Sequence, residues 1–308
     1  MKISILGAAG FIGTNLAIKL AEDKSNVITL VDTVDSFFEP HRKMGLGFNY
    51  RIVNFNEKTD FDRLLNGQHV VYHFFSSSNP TKSNLNIPFE LRDNVLTTSL
   101  FLEACVRQNV HKVVFLSSGG TVYGCEAICP ISEDSSTRPI TSYGVQKIAI
   151  ENLLYLYNYT YKLDYRIIRL ANPYGPYQRP NGQLGAITTF IYKALKHEPI
   201  HVYGDGTVIR DFIYIDDVVS GILNIVNGDI KLVNLGSGKG ISIKQILGLI
   251  GQTLGIELNI VFDKARTVDV PVNYLDITRY IDLFGNPVTV PLDEGIKMTA
   301  AFLDKNYV

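Results

Sequence analysis

Cysteine is scarce in this chain: its 308 residues hold three, Cys105, Cys125 and Cys129. The number is odd, and none sits in a repeated CxxC or Cys/His pattern with metal-ligand spacing. No metal is therefore expected, and a reducing cytoplasmic setting is the natural reading. An excess of charge is also missing, since 29 basic side chains face 30 acidic ones. Nothing in that balance recruits nucleic acid or an anionic membrane, so any polyanionic ligand must be met by locally placed groups. Long apolar runs are absent too. No stretch approaches the roughly 20 residues of a membrane helix. The opening MKISILGAAG passes from one lysine into a short apolar strand and glycines, without the longer apolar core and cleavage site of a secretory signal. A soluble protein with neither membrane nor nucleic-acid partners is expected.

What is present is enough apolar sequence, 46%, to fill a sizeable core. Ile3 to Leu6 is a short apolar run ending in glycines, Phe11 to Ala21 repeats apolar residues at helical spacing, and Val27 to Val31 is the next apolar run. These first residues read as a βαβ unit. Strand candidates continue at Tyr50 to Val53, Val70 to Phe74, Val113 to Leu116 and Tyr165 to Leu170, with amphipathic stretches at Asn94 to Gln108 and Val145 to Tyr159. Strands alternating with helices predict an α/β fold, a Rossmann-like doubly wound parallel sheet covered on both faces. After Leu170 the composition changes, with Pro173, Gly175, Pro176, Pro180 and Gly182 breaking regular structure. Beyond lie helix candidates at Ile187 to His197, Asp216 to Asn227 and Ser242 to Leu254, and a strand at Val233 to Leu235. The expected division is 1–173 with about 214–235 as the dinucleotide-binding part, and about 174–213 with 236–308 as a smaller, discontinuous α/β substrate-binding region.

Gly7, Gly10 and Gly13 stand in GAAGFIG between the first strand and the first helix. A dinucleotide turn needs that context, because the backbone must bend sharply, approach the pyrophosphate and present the helix N-terminal NH groups of Phe11 and Ile12 to it. The spacing is GxxGxxG, an approximate match to the generic fingerprint. Asp32 ends the second strand about 20 residues later, where an acid accepts the adenosine ribose hydroxyls and would repel a 2′-phosphate. Thr33, Val34 and Asp35 offer no compensating cation, so NAD is expected as cofactor rather than NADP.

Tyr143 and Lys147 in YGVQK are four residues apart, which places both on one helix face. A phenol with an ordinary pKa near ~10 is a poor base at neutral pH, but a neighbouring ammonium and a nicotinamide cation would favour its phenolate and make it a proton shuttle. With GAAGFIG, SSGGTVYG at 117–124, RLANPYGPYQ at 169–178 and GDGTVIRDFIYIDDV at 204–218, the chain resembles extended short-chain dehydrogenases along essentially its whole length. Within them it is most similar to the UDP-galactose 4-epimerase group. The resemblance implies a tightly held NAD, a hydride taken from sugar C4 and a proton from O4 by Tyr143. A 4-keto intermediate would turn over and be reduced on its other face, with Lys147 on the nicotinamide ribose. It further implies Asn94 and Ser117 near the cofactor, Asn172, Arg210 and Arg266 at the substrate diphosphate, and Asp269 at the uridine ribose. A UDP-sugar substrate and a homodimer joined near 94–108 and 145–160 are implied as well. Arginine suits bidentate phosphate contact.

The main departure from the family pattern concerns a hydroxyl. A serine or threonine hydroxyl normally stands three residues before Val-Tyr-Gly, and here that place is Gly119. Ser118 or Thr121 would have to supply the hydroxyl, or Tyr143 would act unaided. The dehydratases that resemble this chain carry an Asp-Glu pair where Gly120 and Thr121 stand, which disfavours loss of water. A nucleotide-sugar 4-ketoreductase and a non-catalytic NAD-binding protein of the same fold are the competing readings. Ser76 to Ser78, then Asn79 and Pro80, replace a family lysine and read as a turn. Asn273, smaller than tyrosine at a position that gates sugar size, would leave room for an N-acetyl group. His73 reads as a packed histidine, and Tyr155, Tyr157, Tyr159 and Tyr161 as helix-surface or interface residues.

Overall fold

The computed structural model describes residues 1–78, 83–180, 185–266 and 270–308. Two units divide the chain: Met1–Val122, Pro139–Arg169 and Ile225–Leu232 form the first, and Tyr123–Arg138, Leu170–Asn224 and Val233–Val308 the second. The stretches 123–138, 170–173, 214–224 and 233–235 group with the second unit, whereas the sequence pattern assigns them to the dinucleotide-binding part.

The chain begins with β1 (Lys2–Leu6), α1 (Phe11–Leu20), β2 (Val27–Asp32), α2 (Glu39–Met44), β3 (Asn49–Ile52), α3 (Phe61–Leu65) and β4 (Val70–His73). It continues with α4 (Ile87–Leu91), α5 (Thr97–Arg107), β5 (Lys112–Ser118), α6 (Ser142–Tyr161) and β6 (Asp164–Leu170). The sheet runs β10-β6-β5-β4-β1-β2-β3, with β10 (Leu232–Leu235) supplied from later in the chain, and is the expected doubly wound α/β sheet. The pairs β3–β2, β2–β1, β1–β4 and β4–β5 are all parallel. All four residues of β4 are buried, as a central parallel strand with helices on both faces requires. Val71, Phe101, Leu102, Val113, Ile150 and Leu154 belong to one core that packs α5 and α6 on the sheet. Strand order reverses between β1 and β4, so the crevice beyond their carboxyl ends is the place such sheets bind ligands.

Two local details differ from the expectation, at Asn94 and at Tyr157. The stretch from Asn94 does not start as an α-helix: residues Arg92–Leu96 form a wider turn, and α5 begins at Thr97. Such insertions recur at functional sites. Tyr157 is 7% exposed and donates its hydroxyl to Ser99 O at 3.3 Å, so it is a core residue. Tyr155, Tyr159 and Tyr161 are exposed, as read. His73 packs between Phe101 and Phe115, with Nε2 3.0 Å from Thr98 Oγ1.

In the second unit follow β7 (Asn172–Tyr174), α7 (Ala186–Leu195), β8 (Ile200–Tyr203), β9 (Ile209–Tyr214) and α8 (Ile215–Asn227). After β10 come β11 (Gly240–Ser242), α9 (Ile243–Leu254), β12 (Ile260–Asp263), β13 (Val272–Asn273), α10 (Thr278–Phe284) and α11 (Leu292–Tyr307). Strand β9 is the hub, pairing antiparallel with β11 and parallel with β7 and β13. Helix α9 starts with a full capping box between Ser242 and Gln245, which satisfies its first NH groups internally. Among the described residues no helix is long and apolar enough to cross a membrane, and no group of His, Cys, Asp or Glu is placed to hold a metal ion.

Candidate active site

Helix α1 starts differently from α9. Its N-cap is Gly10, which offers no side-chain hydrogen bond, and no acid occupies its first turn. The NH groups of Phe11 and Ile12 therefore face outward with the positive end of the helix dipole unspent. Close approach explains the glycines. A Cβ on Gly13 would lie 2.5 Å from Gly7 O and 2.8 Å from Ala8 Cα, and Gly7 has φ +81° with Phe74 backbone 2.9 Å from any added Cβ. Asp32, at the end of β2, accepts hydrogen bonds from Ala9 N at 2.9 Å and from Thr33 N at 2.8 Å, which ties the turn to the neighbouring strand. The bare helix start, a cradle too tight for a Cβ and a fixed carboxylate at the second strand fit a dinucleotide with free ribose hydroxyls. The first arginine after Asp32 is already engaged: Arg42 binds Asp35 through Nη1 at 3.1 Å and Nη2 at 2.5 Å.

At the adjacent strand ends, Asn94 is buried, accepts from Ser77 N at 3.0 Å and donates to Glu90 O at 3.0 Å. Ser78 Oγ reaches Gln146 of α6 at 3.3 Å, so the serine run does more than turn the chain: it ties β4 to two helices. Asn79 and Pro80 lie outside the described residues.

Thr141 caps α6 by accepting from Gly144 N at 3.2 Å, while Ser83 Oγ accepts from Tyr143 N at 3.1 Å. Gly144 is obligatory, because a Cβ there would stand 2.7 Å from Thr121 O and 2.5 Å from Pro139 Cβ. That contact seats the 118–121 segment on the first turn of α6, beside Tyr143. Lys147 is 6% exposed, donates to Leu116 O at 2.8 Å, and its Nζ lies 5.3 Å from the Tyr143 ring and 4.6 Å from that of Phe115. Burial pushes the Tyr143 phenol up to about 12 and the Lys147 ammonium down to about 8. The expected assistance from the ammonium is thus outweighed by desolvation, and ionising the phenol calls for further positive charge beside the ring.

Of the two hydroxyls that stand near Gly119, Thr121 Oγ1 is buried with no hydrogen-bond partner among the described residues. Ser118 is half-buried and uses its carbonyl to accept from Thr121 N and Val122 N. Ser117 is committed inside the unit, donating its hydroxyl to Glu151. Glu151 and its partner Arg169, 2.7 Å apart, were missed by the sequence reading, although Tyr143, Lys147 and Glu151 follow one another at four-residue spacing.

The remaining predicted residues lie in the second unit. Asn172 Nδ2 donates to Asp211 O at 2.8 Å, Arg210 Nη1 to Ile209 O and Val270 O, and the Arg266 guanidinium stacks 3.3 Å from the centre of the Tyr203 ring. Asn273 is buried on β13 in register with Arg210. Asp269 lies outside the described residues.

A glycine turn on a parallel sheet, an acid at the second strand and a Tyr-Lys pair on one helix face define a nicotinamide-dinucleotide enzyme of the short-chain dehydrogenase type. The chain belongs to the NAD-dependent epimerase/dehydratase family, whose model matches residues 3–236. It is 34% identical over 307 residues, 99% of both chains, to a Methanocaldococcus jannaschii protein provisionally named a UDP-glucose 4-epimerase. The crystal structure of the Thermotoga maritima UDP-glucose 4-epimerase with UDP-glucose matches with a TM-score of 0.93 at 29% identity, covering all of both chains. That of the Bacillus cereus UDP-glucuronic acid 4-epimerase with UDP-glucuronic acid and NAD matches at 0.90 and 27%, again over all of both chains. NAD is the cofactor.

Proposed function

We propose that the chain is a UDP-hexose 4-epimerase acting through a 4-keto sugar, with Tyr143 as the proton shuttle at O4. The carrying observation is half-buried Tyr143 with buried Lys147 on one face of α6, beside the Thr121 hydroxyl, which has no partner among the described residues. Gly7, Gly10, Phe11, Ile12, Gly13, Asp32 and Asn94 would hold the cofactor, which supplies reversible hydride storage when bound. Tyr143 takes the O4 proton and returns it. Lys147, pinned to Leu116 O, keeps a cation beside the phenol. Thr121 replaces the hydroxyl missing at Gly119 and orients O4, in preference to Ser118, because a buried hydroxyl without a partner gains most from a ligand. The second unit would bind the UDP moiety through Asn172, Arg210, Arg266 and Asp269. The exposed apolar side chains Tyr155, Leu156, Tyr159 and Tyr161 on α6 suit a homodimer interface.

The test needs no added cofactor. Purified protein should carry NAD and interconvert UDP-glucose and UDP-galactose, with UDP-glucuronate and UDP-N-acetylglucosamine assayed in parallel. No C4 inversion of any of them would sink the reading. Thr121→Val should lower kcat on the order of 10- to 100-fold, whereas Ser118→Ala should leave it near wild type. The reverse ranking would move the role to Ser118.

A further inference from the structure

Glu151 is a buried carboxylate for which the proton shuttle has no use. It is 6% exposed and lies one helical turn past Lys147 on the face of α6 that also carries Tyr143. Arg169 of β6 grips it, with Nη2 2.7 Å from Oε2 and Nε 3.1 Å from Oε1, and Ser117 of β5 donates its hydroxyl to Oε1. Lys147 is bound to Leu116 O, the residue before Ser117. Ammonium and carboxylate are thus docked on consecutive residues of one strand. A buried ion pair seldom repays its desolvation, so a Glu–Arg pair held beneath the reactive lysine calls for a reason other than stability.

We propose that Glu151 is a positioning residue that keeps Lys147 protonated, its carboxylate fixed by Ser117 and Arg169 so that negative charge faces the ammonium one helical turn away. Among the described residues, Tyr143 and Glu151 on α6 and His73 on β4 act on Lys147, and Arg169 on β6 stands behind Glu151. His73 is neutral at ordinary pH, since burial and the lysine itself push its proton off. Burial drives Lys147 down to about 8, and the charge of Glu151 opposes that fall. Removing it would raise the neutral fraction of the amine at neutral pH and weaken its hold on the phenol.

The consequence for turnover rests on the epimerase reading, but the protonation of Lys147 does not, so it is measured directly. In protein carrying lysine labelled with carbon-13 at Cε, the Lys147 signal, assigned by its loss in Lys147→Arg, is titrated in wild type and Glu151→Gln. The midpoint should fall by about one pH unit or more in the variant. An unchanged midpoint, even with a lowered Tm, overturns the proposal. Should Glu151→Gln fail to fold, Glu151→Gln with Arg169→Gln is compared with Arg169→Gln alone, so that the guanidinium is absent from both and the difference in midpoint reports the carboxylate. Glu151→Asp keeps the charge and should retain the wild-type midpoint. A fall matching that of the glutamine variant would count against the charge. Where a UDP-hexose is turned over, the alkaline limb of the kcat profile should move with the lysine midpoint.

Discussion

Glu151 in the first unit and Asp211 in the second are both buried carboxylates that accept a serine hydroxyl, yet their other partners differ in kind. Glu151 faces the Arg169 guanidinium and lies a turn from Lys147. Asp211, with no exposed surface, accepts from Ser237 N at 2.7 Å and Oγ at 2.5 Å, Gly238 N at 3.2 Å and Leu275 N at 3.3 Å. Those partners are neutral, and burial holds its carboxyl above the usual carboxylate range. The first arrangement places fixed negative charge a helical turn from the Lys147 ammonium. The second clamps β9 to the 237–238 turn and to Leu275, fixing the strand that carries Arg210. Of these two carboxylates, the first is the one we propose acts on chemistry, and the second holds shape.

The largest effect should come from the chemical side of this contrast. Tyr143→Phe removes the proton carrier and leaves the packing, so kcat should fall about 10²- to 10⁴-fold while NAD stays bound and the thermal midpoint barely moves. Retained activity would remove Tyr143 from the mechanism. The shape side should answer in the opposite currency. Asp211→Asn puts an amide NH₂ among backbone donors that need an acceptor, at a cost of about 1–3 kcal/mol in urea unfolding, with NAD retention by the first unit little changed. A variant as stable as wild type would mean that Asp211 is not a clamp.

How far the sequence disclosed all this follows the same line. The first unit was legible because its parallel strands are near-continuous apolar runs and its turn chemistry is tied to glycines that only a close backbone approach explains. Tyr143 and Lys147 could be found because helical spacing puts them on one face. Glu151 shares that spacing, yet a single glutamate in a helix has no visible partner until β6 brings Arg169 to it. The second unit was harder. Strands β7, β11 and β13 have two or three residues each, too short for any alternation to show, and they exist because β9 offers edges to pair with. Ser118 and Thr121 were indistinguishable as letters. What separates them is burial, since the Thr121 hydroxyl is enclosed without a partner among the described residues, a property of packing.

The smallest effect concerns acid. For His73 the folded value is about 3 against an ordinary 6.5, with burial as the first cause and the nearby Lys147 charge as the second. Its contribution to stability is complete above the ordinary value and is lost as pH falls toward the folded one, at up to about 1.4 kcal/mol per pH unit. Asp211 has the opposite sign. Its folded value is raised, so its contribution is fully present below the unfolded value and lost as pH rises through the folded one. Between pH 7 and 5, amide hydrogen exchange corrected for intrinsic rates should therefore show the opening free energy of β4 falling while that of β9 holds or rises. His73→Gln should flatten the β4 slope and leave β9 unaltered. Equal slopes in the two strands, or a β4 slope that survives the substitution, would mean that the acid response belongs to the whole chain and not to the histidine.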